Sequence, residues 1–160
     1  MKSAHRTKLI IYSAFTLLCM ALIFAFSAQN AYASQELSNG LLAKIKALIE
    51  LLPSISGQGA DHDIRKYAHM FEFCMLGISS SLLAYELMRN KVQSAFLPAL
   101  AAWVYSTFYA CTDEFHQYFV PGRSAELRDV AVDSCGALVG VIIILLIMIS
   151  AKRKGSGGNE

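Results

Sequence analysis

The sequence predicts an all-α integral membrane protein: a four-transmembrane-helix bundle with an outer amphipathic helix between helices one and two. Three observations lead there. Of 160 residues, 55% are hydrophobic and 16% are charged, and the mean hydropathy is +0.43, too apolar for an ordinary soluble domain. Four apolar runs of roughly bilayer-crossing length recur along the chain. The basic residues flank those runs as one membrane topology requires. The length suits one unit, read as a membrane domain over residues 1–151 followed by a cytoplasmic flexible tail over 152–160. With a net charge of +2 and no basic stripe interleaved with aromatics, nucleic acid is excluded as a partner.

The first run, LIIYSAFTLLCMALIFAF, covers Leu9 to Phe26 without a charge. Lys2, Arg6 and Lys8 precede it, and Ala31-Tyr32-Ala33 resembles a signal-peptide cleavage site. The run is longer than the roughly 7–15 apolar residues of a signal peptide, so it reads as a retained span. Next, ASQELSNGLLAKIKALIELL (Ala33 to Leu52) places Leu41, Ile45, Leu48, Ile49 and Leu52 at helical spacing among Lys44, Lys46 and Glu50. This predicts a helix lying on the outer membrane surface, stopped by Pro53.

The second span covers about Tyr67 to Met88, with Asp61 or Asp63 expected to cap its start. It carries His69, Glu72 and Glu86. The third run, Val92 to Ala110, has no acidic or basic residue, and the fourth, about Val130 to Ser150, has Asp133 alone. Lys2, Arg6 and Lys8, then Arg89 and Lys91, then Lys152, Arg153 and Lys154 fall on one side if the spans number four. The positive-inside rule makes that side the cytoplasm, with both termini there. Segments 27–64 and 113–128 then face outward. The four cysteines, Cys19, Cys74, Cys111 and Cys135, lie in apolar runs without a CxxC pair. They read as small buried residues rather than as zinc ligands or a disulfide framework.

Charged residues within a membrane are costly and by default mark function. Here they gather at the outer helix ends. Arg65, His69 and Glu72 share a face of helix two, with Lys66 beside them. Tyr105, Tyr109, Asp113 and His116 follow one face of helix three, joined by Gln117; Glu114 ranks below them. Asp129 and Asp133 share a face of helix four that Gly136 and Gly140 continue as a small-residue packing strip. Ser27 and Gln29 add the outer end of helix one. One or two ion pairs would be ordinary bundle ties. So many titratable groups at one level exceed what stability needs, because buried ion pairs stabilise weakly. The inner halves of helices one, three and four are nearly all apolar, which argues against a transport pathway.

FSAQ (Phe26 to Gln29), RKYAHMFEFCMLG (Arg65 to Gly77) and DEFHQYFVPGRSAELRDVAVDSCGALVG (Asp113 to Gly140) occur in an order that resembles the VanZ-like family of small membrane proteins. That family is named for a protein linked to low-level resistance to the glycopeptide antibiotic teicoplanin. It has been grouped with a proposed superfamily of membrane enzymes acting on lipid head groups. The resemblance implies a cell-envelope role and phosphoester chemistry at the outer membrane face. The partner would be a membrane lipid or a lipid-linked precursor.

On that reading Arg65 and Arg123 hold phosphate oxygens, where guanidinium offers paired contacts, and Lys66 assists. His69 or His116 serves as general base or nucleophile. Asp129 and Asp133 orient a histidine or balance the arginines. Glu72 and Asp113 act as acids or metal ligands, and Gln117, Tyr109, Ser27 and Gln29 bind substrate. Nothing in the sequence requires a cofactor; the ligand types permit a divalent metal, but no compact motif such as HExxH demands one. The competing reading is a non-catalytic protein that binds a lipid head group or a glycopeptide antibiotic.

Overall fold

The computed structural model describes residues 2–28, 60–121, 123 and 126–156. The chain forms four helices there: α1 (Lys2–Ser27), α2 (Ala60–Met88), α3 (Phe96–Gln117) and α4 (Leu127–Ser156). The expected amphipathic helix, its Pro53 stop and Gln29 lie outside the described residues. Of α2, the backbone is described from Ala60 and the side chains from Tyr67 onward.

Three helical segments are long and apolar enough to cross a membrane: Ser3–Ser27, Tyr67–Met88 and Leu127–Lys152. This is a membrane protein by the length and composition of its helices. Four such spans were expected, and α3 is the one that falls short. It has 22 residues, but Asp113, Glu114, His116 and Gln117 occupy its last turns, and hydroxyl and aromatic residues dilute the rest.

The helix boundaries follow local chemistry. In hydrocarbon every backbone amide must be bonded within its own segment, which makes an uninterrupted apolar run helical. α2 ends where Arg89, Asn90 and Lys91 turn the chain, with the amides of Lys91 and Val92 bonding back to Met88 O at 2.9 and 3.1 Å. Ser94 Oγ accepts from Phe96 N at 3.2 Å at the start of α3. Pro98 is tolerated in that first turn because a first-turn amide has no helical partner to lose. α3 closes on a tightened turn, Phe119 N to His116 O and Val120 N to Gln117 O, both 3.0 Å, and Pro121 prevents continuation. α2 begins at Ala60, so Asp61 and Asp63 lie inside it rather than at its cap. α4 runs to Ser156.

α2 is the central helix and packs on each of the other three. Its tightest partner is α4. A Cβ on Gly77 would strike Ala137 O, one on Gly136 would strike Met70 O, and one on Gly140 would strike Cys74 O. The expected strip of Gly136 and Gly140 is therefore a backbone-to-backbone seam, completed from the other side by Gly77.

Small and polar side chains fill the middle of the bundle: Ser79, Ser80, Ser81, Ser106 and Thr16 are buried beside Phe73, Leu76, Ile23 and Ala110. Large apolar residues face outward instead, such as Ile10 at 69% and Phe108 at 69% exposure. Lipid is the solvent for which this arrangement makes sense, because apolar surface of that extent would be unfavourable in water. The cysteines obey the same logic. Cys19 is buried, but Cys111 and Cys135 are exposed on the helix surface. The expectation that all four are buried is corrected: a thiol on a lipid-facing surface incurs little desolvation cost.

Candidate functional site

The C-terminal ends of α1 and α3 meet the N-terminal parts of α2 and α4 at one end of the bundle. All four helices deliver polar groups to a common point. Ser27 is the last residue of α1 and is fully buried. Asp113, one helical turn before the end of α3, is buried, as are Gln117 on the same face and Asp133 of α4.

His69 of α2 sits between carboxylates. Its Nδ1 lies 3.1 Å from Glu72 Oε2, one turn along the same helix. Its Nε2 lies 3.1 Å from Asp113 Oδ2 and 3.4 Å from Asp133 Oδ2. A neutral imidazole donates from one nitrogen only, so donation to Glu72 and Asp113 together requires the doubly protonated ring. Phe73 packs edge-on against the ring at 5.2 Å.

Asp113 Oδ2 is the hub of the network. Besides His69, it accepts from Ser27 Oγ at 2.7 Å and from Gln117 Nε2 at 2.8 Å. Gln117 Nε2 also approaches Ser27 Oγ at 3.1 Å. Arg123 then closes the site from the turn after α3: Nη1 donates to Gln117 Oε1 and Nη2 to Phe26 O, each at 3.1 Å. The fork thereby ties the α3–α4 turn to the end of α1.

Three buried polar atoms at this end have no hydrogen-bond partner among the described residues: Asp113 Oδ1, Asp133 Oδ2 and His116 Nε2. Asp133 Oδ2 is within ion-pair range of His69 but makes no hydrogen bond to it. Unbonded polar atoms cost free energy in a closed interior. Asp113 Oδ1 and Asp133 Oδ2, on carboxylates that both approach His69, mark a place able to receive the polar groups of a ligand.

The expected residues divide accordingly. His69, Glu72, Asp113, Asp133, Gln117, Ser27 and Arg123 are brought together. Ser27 and Gln117, expected to bind substrate, are engaged by Asp113. Tyr109 points elsewhere, donating to Met20 O at 2.7 Å, which holds α3 against α1. His116 is turned toward α1, stacked on Phe24 with ring centroids 4.4 Å apart. Asp129 is half-buried on the first turn of α4. Arg65 and Lys66 lie on α2 about one turn before His69, with side chains outside the described residues.

Glu114, ranked low by its helical phase, is 5% exposed. Its Oε2 accepts from Glu126 N at 3.1 Å, so the end of α3 supplies a carboxylate to the start of α4, where unpaired amides favour negative charge. No spacing within α3 signals that contact, because its partner is a backbone amide beyond the turn. Among the described residues, no group of three or more His, Cys, Asp or Glu side chains is arranged to hold a metal ion. The carboxylates converge on His69 instead.

A family model described as VanZ/LLP1 matches residues 12–148. Comparisons with curated proteins and with solved structures give no significant match. The matched region takes in α2 and α3, most of α1 and α4, and every residue of the His69 network, and the chain belongs to the VanZ-like family.

Proposed function

We propose that this VanZ-like membrane protein modifies lipid head groups, or lipid-linked envelope precursors, by phosphoester chemistry at the outer membrane face. α3 would complete a four-span bundle, with both termini in the cytoplasm as the flanking basic residues favour. One observation carries the reading: a histidine bonded to carboxylates through both ring nitrogens, beside buried carboxylate oxygens from two other helices that lack partners.

In this scheme Asp133 Oδ2 takes the proton from the attacking water or alcohol. The new phosphorus–oxygen bond forms as the bond to the leaving oxygen breaks, and His69 delivers a proton to that oxygen from Nε2. Proton transfer between groups held 3.4 Å apart then restores the pair. Glu72 fixes the ring through Nδ1, while Asp113, held by Ser27 and Gln117, stabilises its charge. Arg123, at the mouth, and Arg65 offer guanidinium groups to phosphate oxygens.

The second reading is a non-catalytic binder of a lipid head group or glycopeptide antibiotic, in which Asp113 Oδ1 and Asp133 Oδ2 accept from the ligand without chemistry. Lipid mass spectrometry of membranes from cells making the wild type or His69→Gln separates the two. A head-group change that requires His69 supports chemistry. Identical lipid profiles with and without the wild-type protein would leave the binding reading in its place.

A further inference from the structure

The opposite end of the bundle carries a second site. Glu86 lies seventeen residues beyond His69 on α2, about 25 Å away at 1.5 Å per residue. A cavity of about 360 Å³ opens there, and all four helices contribute to its lining. Lys8 of α1, Arg89 at the end of α2 and Lys152 of α4 bring three cations to it; among the described residues, Glu86 is the one carboxylate in the lining. Glu86 is already answered. His5 Nδ1 lies 2.6 Å from its Oε1, and Arg89 Nη1 lies 3.7 Å from the same oxygen. The cavity therefore presents net positive charge.

Its walls are held in place. Lys152 Nζ donates to Gln93 O at 3.3 Å, and Tyr85 donates to Ala95 O, so the α2–α3 turn is tied to both neighbouring helices. An ammonium has three donors, and the bond to Gln93 uses one. Below the cations the lining turns apolar with Leu82, Pro98 and Met148. Cations above an apolar floor, at a helix junction near a membrane surface, match a phosphate carried on hydrocarbon.

We propose that this cavity binds the phosphate of an anionic phospholipid, with Lys8, Arg89 and Lys152 around the head group and the acyl chains leaving along the apolar lining. Basic pockets between transmembrane helices at this depth suit anionic head groups. The site stands apart from the His69 centre and does not depend on its chemistry.

The test uses the full chain purified in detergent, with lipid retention read by native mass spectrometry after addition of phosphatidylglycerol, phosphatidylcholine or inorganic phosphate. The expected result is one retained phosphatidylglycerol, no comparable phosphatidylcholine, and displacement by inorganic phosphate only at large excess. Each of Lys8→Ala, Arg89→Ala and Lys152→Ala should weaken retention about fivefold, and the triple variant about a hundredfold, as expected for basic side chains at an anionic surface. Lys91→Ala is the control, since Lys91 is exposed at the same end but does not line the cavity. Equal retention of the two lipids, a triple variant that behaves like Lys91→Ala, or inorganic phosphate competing at parity with lipid would each overturn the proposal. Tryptophan fluorescence of each variant verifies that the bundle remains folded.

Discussion

Replacing His69 by alanine should uncouple the helix ends, because one ring holds carboxylates from three directions. Its side chain is 17% exposed, that of Asp113 is 0% exposed and that of Asp133 is 3% exposed. At separations of 3.1 and 3.4 Å, each attraction is worth about 5 kcal/mol gross at an effective dielectric of about 20. Desolvation offsets much of that, and removing one partner of a buried pair costs about 3–5 kcal/mol net, since the other charge is left uncompensated.

The single tryptophan provides the assay. Trp103 Nε1 donates to Ser134 O at 3.3 Å across the α3–α4 contact, so its fluorescence reports separation of those helices. In mixed micelles titrated with sodium dodecyl sulfate, His69→Ala should unfold at a lower detergent fraction, with a loss of about 3–5 kcal/mol. The double variant His69→Ala/Asp133→Asn should recover part of it, because one uncompensated charge is gone. Unfolding of His69→Ala at the wild-type midpoint would refute the idea that the imidazolium holds the carboxylates together.

Gly140→Val should be destabilising by about 1–3 kcal/mol in the same titration, as overpacking usually is. The new Cβ would meet the backbone of α2, with Ile78 N at 2.9 Å and Cys74 C at 3.1 Å besides the Cys74 carbonyl oxygen. Ser27→Ala removes a buried donor to Asp113 and an acceptor for Gln117. It should cost about 1.5–3 kcal/mol, the range for a hydrogen bond to a charged group. Arg123→Lys cannot reproduce a fork that reaches Gln117 Oε1 and Phe26 O together. A loss of about 1 kcal/mol and faster proteolysis of the α3–α4 turn are its expected signatures.

Much of the site was legible because helical phase is a strong constraint. His69 with Glu72, and Asp113 with Gln117, are spaced so that any helix places each pair on one face. Polar residues in apolar runs could be picked out on cost alone. The same reasoning found the Gly136 and Gly140 seam, since small residues at that spacing serve close helix approach.

What phase could not supply is the partner. Tyr109 shares the face of Asp113, yet its hydroxyl is taken by a carbonyl of α1. Glu114 lies off that face, yet it is buried by a backbone amide across the turn. His5 and Glu86 are 81 residues apart, and nothing local couples them. The shortfall of α3 as a span has a related origin: the residues that build the site also lower the hydropathy by which spans are recognised.

The central claim is that Asp133 and His69 act as a proton-transfer pair on a lipid phosphoester. It is tested most directly by reconstituting wild type, Asp133→Asn and His69→Gln into vesicles made from a total lipid extract and following released or exchanged head groups by mass spectrometry. Wild type should turn over, with at least a hundredfold loss in each variant, consistent with the rate that general acid–base catalysis supplies, while tryptophan fluorescence shows Asp133→Asn still folded. Turnover by folded Asp133→Asn at the wild-type rate would contradict it.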